Sequence, residues 1–154
     1  MRTFAFAAGL LPLLFVAAIS LSPHPEIEMK KLTPILQVDS IEPVLSFWED
    51  RLGFERTMAV PGETGLGFAA FQSGSVEIMY QTRTGIGNDL PQLLDMPMGG
   101  TLLFIEVDDI DAIELALEGA EIVSPRRTTF YGATEVAVRE PGGNIVIFAE
   151  MGDD

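Results

Sequence analysis

Two acidic residues set in apolar strands are the places where this sequence could do chemistry. Glu77 stands between Val76 and Ile78, and Glu106 between Ile105 and Val107. A carboxyl group buried in such surroundings titrates above its usual range, which suits a general base. One that reaches solvent or pairs with an arginine is structural instead. Nothing in the sequence shows that the two carboxylates meet. A second cluster, Arg126-Arg127 followed by Phe130-Tyr131, places positive charge beside aromatic rings in a chain with few bases. It could stack an anionic or aromatic ligand, or it could be a charged strand beside ordinary packing. Other chemistries have little to draw on. The chain has no cysteine, which removes disulfides, thiolate zinc sites and cysteine nucleophiles and leaves the redox compartment open. The single histidine, His24, precedes the folded part, so an iron site of two histidines and one carboxylate cannot form there.

The elements that must position these residues repeat. A short strand over 33–38 leads through Asp39-Ser40, a candidate N-cap, into a helix. Its apolar stripe runs Ile41, Val44, Leu45, Trp48 and Leu52, and Gly53 ends it. Trp48 on that stripe is read as core. Strand-like runs follow over 54–60, 66–72 and 76–81, parted by Pro61-Gly62 and Ser73-Gly74. The same order then returns: a strand over 102–107, a cap at Asp108-Asp109, and a helical stripe of Ile110, Ile113 and Leu117 closed by Gly119. Strands over 120–124, 134–139 and 144–150 complete it, with Pro141-Gly142-Gly143 as the last turn. Val38-Asp39-Ser40-Ile41 matches Val107-Asp108-Asp109-Ile110 at an offset of 69. An internal repeat fixes architecture more firmly than any single motif. The fold class is therefore α+β, two βαβββ modules (30–81 and 101–151) joined by a Gly- and Pro-rich linker (82–100) with a short helical turn near 90–94. Each half buries one sheet face under its helix, so two curved mixed sheets side by side enclose a cleft.

Residues 1–28 stand apart. Arg2, an apolar run from Phe4 to Ile19, and the small residues Ala18 and Ser20 have the layout of a signal peptide. The run is short for a membrane span of roughly 20 residues, and Pro12 interrupts it. An exported protein, periplasmic or extracellular, is expected. A translation start at Met29 would instead make it cytoplasmic. The domain proper is 29–154. The formal net charge of −14 belongs almost wholly to it, since only Arg2, Glu26 and Glu28 lie in the leader. Such acidity argues against nucleic acid or anionic membrane as partners.

Two segments at the right separation carry a resemblance. Phe47-Trp48-Glu49-Asp50-Arg51-Leu52-Gly53-Phe54 is similar to a helix ending in "FY…LGF", and Tyr131-Gly132 with Glu140-Pro141-Gly142-Gly143-Asn144 is similar to "WG…DPDGN". Both are marks of the vicinal oxygen chelate superfamily, which holds glyoxalases, bleomycin-resistance-type proteins and dioxygenases. The resemblance covers 30–151. Metal-binding members of that family draw ligands from the first and last strands of each half, usually two His or Gln and two Glu. Carried over, the first-strand positions fall on Thr33 and Leu102 and the last-strand positions on Glu77 and Ile147. Only Glu77 binds a divalent ion well, and one carboxylate does not hold a catalytic ion. No metal and no cofactor are expected.

Strand alternation sets Thr33, Ile35 and Gln37 on the ligand-bearing face, with Glu77, Met79 and Gln81 beside them. Leu102, Phe104, Glu106, Ile145 and Ile147 form the corresponding face of the second half. This is a mostly apolar pocket with a few polar handles, the usual make-up of a small-molecule site. The leading expectation is a metal-independent binding protein for a partly apolar or aromatic molecule. The resemblance implies a homodimer with cavities between chains. A glyoxalase-like lyase or isomerase using Glu77 is the enzymatic alternative, and an interaction module with a filled pocket is the third.

Overall fold

The structure is a computed structural model that describes residues 28–152. The expected leader lies, but for Glu28, outside the described residues. The compact unit begins at Leu32. No helix among the described residues is long and apolar enough to cross a membrane.

The first module runs β1 (Ile35–Val38), α1 (Glu42–Leu45), β2 (Glu55–Pro61), β3 (Leu66–Ser73) and β4 (Val76–Thr82). Its sheet has the order β1-β4-β3-β2, with β1 parallel to β4 and the other pairs antiparallel. A linker helix, α2 (Arg83–Asp89), and a 3₁₀ turn over Pro91–Leu93 lead to the second module. That comprises β5 (Leu102–Glu106), α3 (Ile110–Ala116), β6 (Glu121–Thr128), β7 (Thr134–Arg139) and β8 (Ile145–Glu150), paired β5-β8-β7-β6 in the same sense. The chain is thus α+β, two four-stranded mixed sheets built on one repeated plan.

The two helices start differently. Asp109 caps α3 by accepting from Ala112 N at 2.9 Å. The expected cap at Asp39-Ser40 does not form: Ile41 is the N-cap and makes no side-chain cap bond. Ser40 Oγ donates to Glu42 Oε2 at 2.6 Å, while Glu42 Oε1 accepts from Leu66 N at 2.7 Å. The serine has been drawn into holding Glu42, which pins α1 to the β2–β3 turn. Past Leu45 the helix widens into π-type turns over Ser46–Arg51. It ends with Phe54 N donating to Trp48 O (2.8 Å) and Gly53 N to Glu49 O (3.1 Å). Each bond reaches one residue further back than in an α-helical Schellman close. Gly53 supplies the required positive φ of 67°, and Phe54 folds back so that its ring lies 4.9 Å from that of Trp48.

The core sits where both helices meet the inner sheet faces. Trp48, Tyr80, Phe71 and Phe148 are its largest fully buried members, and Ile110 of the second helix packs with them at 1% exposure. Trp48 Nε1 donates to Tyr80 Oη at 2.8 Å, so neither buried polar atom is left alone. Burial, with the Glu140 carboxylate nearby, pushes the Tyr80 hydroxyl far above its usual range. The linker holds a helix earlier than its sequence suggests. Two glycines, poor helix formers, hide α2 from a propensity reading. Thr82 starts it by accepting from Gly85 N. A Cβ at Gly87 would lie 2.3 Å from Leu94 Cδ1, so a larger residue there would make the Leu94 side chain shift.

Candidate functional site

Pairing registers show which side chains share the sheet faces turned away from the core. In module 1, Ile35 is opposite Met79, which is opposite Ala70; Gln37 is opposite Gln81, which is opposite Phe68. The alternate residues, Leu36, Val38, Ile78 and Tyr80, are all in the core. In module 2, Phe104, Ile147 and Ala137 form one rung, and Glu106, Ala149 and Glu135 the next. Leu103, Ile105, Val146 and Phe148 point inward to the core. The division into faces follows the alternation read from sequence.

Two cavities adjoin module 1. One, of about 280 Å³, lies between the start of β4 and β5, with Glu77, Val76 and Ile78 on one wall and Leu103, Phe104 and Ile105 on the other. Glu77 Oε2 accepts from Thr33 Oγ1 at 2.9 Å, so the first- and last-strand positions of this module do come together. The other, of about 240 Å³, lies over Ile35, Gln37 and Gln81 and is covered by Ile86, Leu90 and Leu93 of the linker. The linker is therefore not a bare connection; it roofs part of this face.

The second-module positions differ in detail from the sequence reading. In the repeat, Phe104 is the counterpart of Ile35, and their partners are Ile147 and Met79. Glu77, two residues before Met79, therefore corresponds to Ile145 and not to Ile147. Either choice leaves hydrocarbon opposite Leu102. A hydroxyl, a carboxylate and alkyl groups do not make a site for a divalent ion. Among the described residues no three His, Cys, Asp or Glu side chains come together as a metal site. The residues present do not fit the metal that enzymes of such architecture use.

Arg126 requires a correction. It was expected to serve a ligand, yet its guanidinium is held by Asp111 and by Glu114 Oε2 (2.9 Å), both on α3. A bulged register between Ser124 and Arg127 turns Arg126 to the helix side of the sheet. Arg127 goes the other way and binds Glu135 Oε2 at 2.9 Å. Tyr131 donates its hydroxyl to the other oxygen of Glu135, and that hydrogen bond pushes the phenol up in pKa. Phe130 is fully exposed at the β6–β7 turn, its ring edge-on to Tyr131. Glu106 is exposed at the end of β5, on the rung of Ala149 and Glu135. Glu135, only 3% exposed, is the polar residue the sequence reading missed. Its signal was available: an acid alternating with Val136 and Val138, which face the core.

A family model for the glyoxalase/bleomycin resistance protein/dioxygenase superfamily matches residues 29–148. The chain belongs to that superfamily. No curated protein sequence gives a significant match. Solved structures similar to this superfamily member include lactoylglutathione lyase from Agrobacterium tumefaciens, with TM-score 0.64 and 18% identity over 80% of this chain and 95% of that one. TioX from Micromonospora sp. ML1 gives TM-score 0.64 and 17% identity over 80% of this chain and all of that one. TnmS3, an antibiotic binding protein from Streptomyces sp. CB03234, gives 0.63 and 17% over 82% and 100%. At these identities the likeness speaks for the fold.

Proposed function

We propose that this chain is a metal-independent binding protein for a small, partly apolar or aromatic molecule, acting as a homodimer. The observation that carries this is the composition of the four positions where the superfamily's metal-dependent members keep ligands. Thr33, Leu102, Ile145 or Ile147, and Glu77 offer one carboxylate, already bonded to Thr33; beside it lies a largely apolar cavity, and a second cavity carries the amides of Gln37 and Gln81. TnmS3, similar in fold, is an antibiotic binding protein by its name, which supports a binding role without naming the ligand here. Support for a dimer comes from Leu102 and Phe104, which are 64% and 48% exposed on the module-2 face. A second copy covering that face would bury them and close the cleft.

Thermal-shift and NMR screening of neutral and acidic aromatic fragments tests the binding reading. Stabilisation by ring compounds is expected; none by any compound would leave an interaction module with a filled pocket. A lyase or isomerase using Glu77 is the rival, favoured by the apolar wall that Glu77 shares with Phe104. Elemental analysis separates the two: a stoichiometric ion lost on Glu77→Ala would overturn the metal-free reading. Export is part of the same proposal, and N-terminal sequencing of native material is expected to find the chain beginning near Leu21. A mature chain starting at Met29 would place it in the cytoplasm.

A further inference from the structure

The ligand of the linker-covered cavity can be described more closely, on the basis of the binding role proposed above. Its floor is the Gln37–Gln81 rung and its cover the apolar side of the linker. Gln81 is satisfied, since its Nε2 donates to Asp89 Oδ2 at 2.8 Å. Gln37 is not. Its Nε2 is fully buried and meets no hydrogen-bond partner among the described residues. A buried donor with nothing to donate to is destabilising, and such groups are few in native structures. Gln37 lines the cavity, and a turn about χ3, a broad and roughly two-fold torsion in glutamine, would present that N–H to a ligand there.

We infer that Gln37 reads a neutral carbonyl oxygen on an otherwise apolar ring compound admitted beneath the linker. The carbonyl follows from the orphan donor. Neutrality follows from Asp89: its carboxylate is bonded to Gln81, the direct neighbour of Gln37, so an anion held at Gln37 meets a like charge. The apolar ring follows from Ile35, Ile86, Leu90, Leu93 and Met96, which with Pro97 make most of the remaining wall; Thr101 is its one further polar side chain. The Gln81–Asp89 bond ties α2 down to β4, and a ligand seated on Gln37 leaves that tie intact.

The test compares 1-indanone with indane, the same ring system without its carbonyl, by ¹⁵N NMR titration of the full chain. Indanone is expected to bind about three- to tenfold more tightly, the range one net hydrogen bond supplies, and to move the Gln37 side-chain amide signals. In Gln37→Leu the preference should vanish while indane binding persists, and the unfolding temperature should hold or rise because an orphan donor has gone. Equal binding of both compounds by the wild type, or a preference surviving in Gln37→Leu, overturns the role of Gln37 and leaves small-molecule binding standing. Indane-1-carboxylate binding more tightly than indanone overturns the neutrality argument. If none of the three binds, this inference falls, while the binding role stands or falls on the wider fragment screen. The wild-type ligand comparison decides the matter even if the variant does not fold.

Discussion

Removing the Glu140 carboxylate should unlatch the turn that starts β8. Glu140 is 1% exposed and takes three hydrogen bonds: from Gly142 N at 2.5 Å, Asn144 N at 2.9 Å and Asn144 Nδ2 at 2.6 Å. This explains an acid at the head of the Glu140-Pro141-Gly142-Gly143-Asn144 segment, because a carboxylate presents two acceptor oxygens to a turn rich in unpaired N–H groups. Glu140→Ala leaves three donors without their acceptor, and Asn144 is itself 1% exposed. An orphaned buried group costs about 1–3 kcal/mol. Water entering the gap will serve some of them, so the expected loss is about 3 kcal/mol. Glu140→Gln keeps the shape and one acceptor oxygen but sets an NH₂ against a donor, so about 1–2 kcal/mol should be lost. Urea denaturation should give the order wild type, Gln, Ala, with midpoints falling at constant m-value. Because a domain holds only about 5–15 kcal/mol in all, the Ala variant should also melt roughly 10 °C lower or more. A loss below about 1 kcal/mol for Glu140→Ala would refute the claim that these bonds hold the turn.

Other outcomes follow from the same contacts. Tyr80→Phe leaves Trp48 Nε1 without an acceptor in the core and should cost about 1–3 kcal/mol by urea denaturation; an unchanged midpoint would mean that the indole finds another partner. The Glu42 carboxyl titrates below its ordinary value of 4.5, chiefly through the Ser40 hydroxyl and then the Leu66 amide. A depressed folded pKa means its contribution is complete above the unfolded value and disappears as pH falls through the folded one. Glu42→Gln should therefore melt slightly lower than wild type at pH 7, and the two curves should converge in acid. A gap that widens in acid would reverse that sign. The proposed dimer predicts that wild type scatters light as two chains and that Leu102→Asp, which puts a charge on the open module-2 face, scatters as one, with circular dichroism unchanged because Leu102 is already exposed. A persisting dimer would place the interface on another face.

Much of the plan was legible without coordinates, since it rests on local rules. Alternation along a strand assigns each side chain to a face, so Gln37 and Glu77 could be separated from Leu36 and Ile78 by position alone. The match of Val38–Ile41 to Val107–Ile110 announced two copies of one module. The histidine and cysteine content excluded imidazole and thiolate chemistry from the domain by composition. What the sequence did not carry is register between distant strands and the path of the linker, both fixed by packing across the chain. Only the pairing of β4 with β1 and of β8 with β5 shows that Glu77 answers to Ile145, and only the bulge in β6 sends Arg126 to α3 while Arg127 goes to Glu135. The linker folds over Gln37 because its apolar side chains need a surface to cover, a need that glycine-rich local propensity does not reveal.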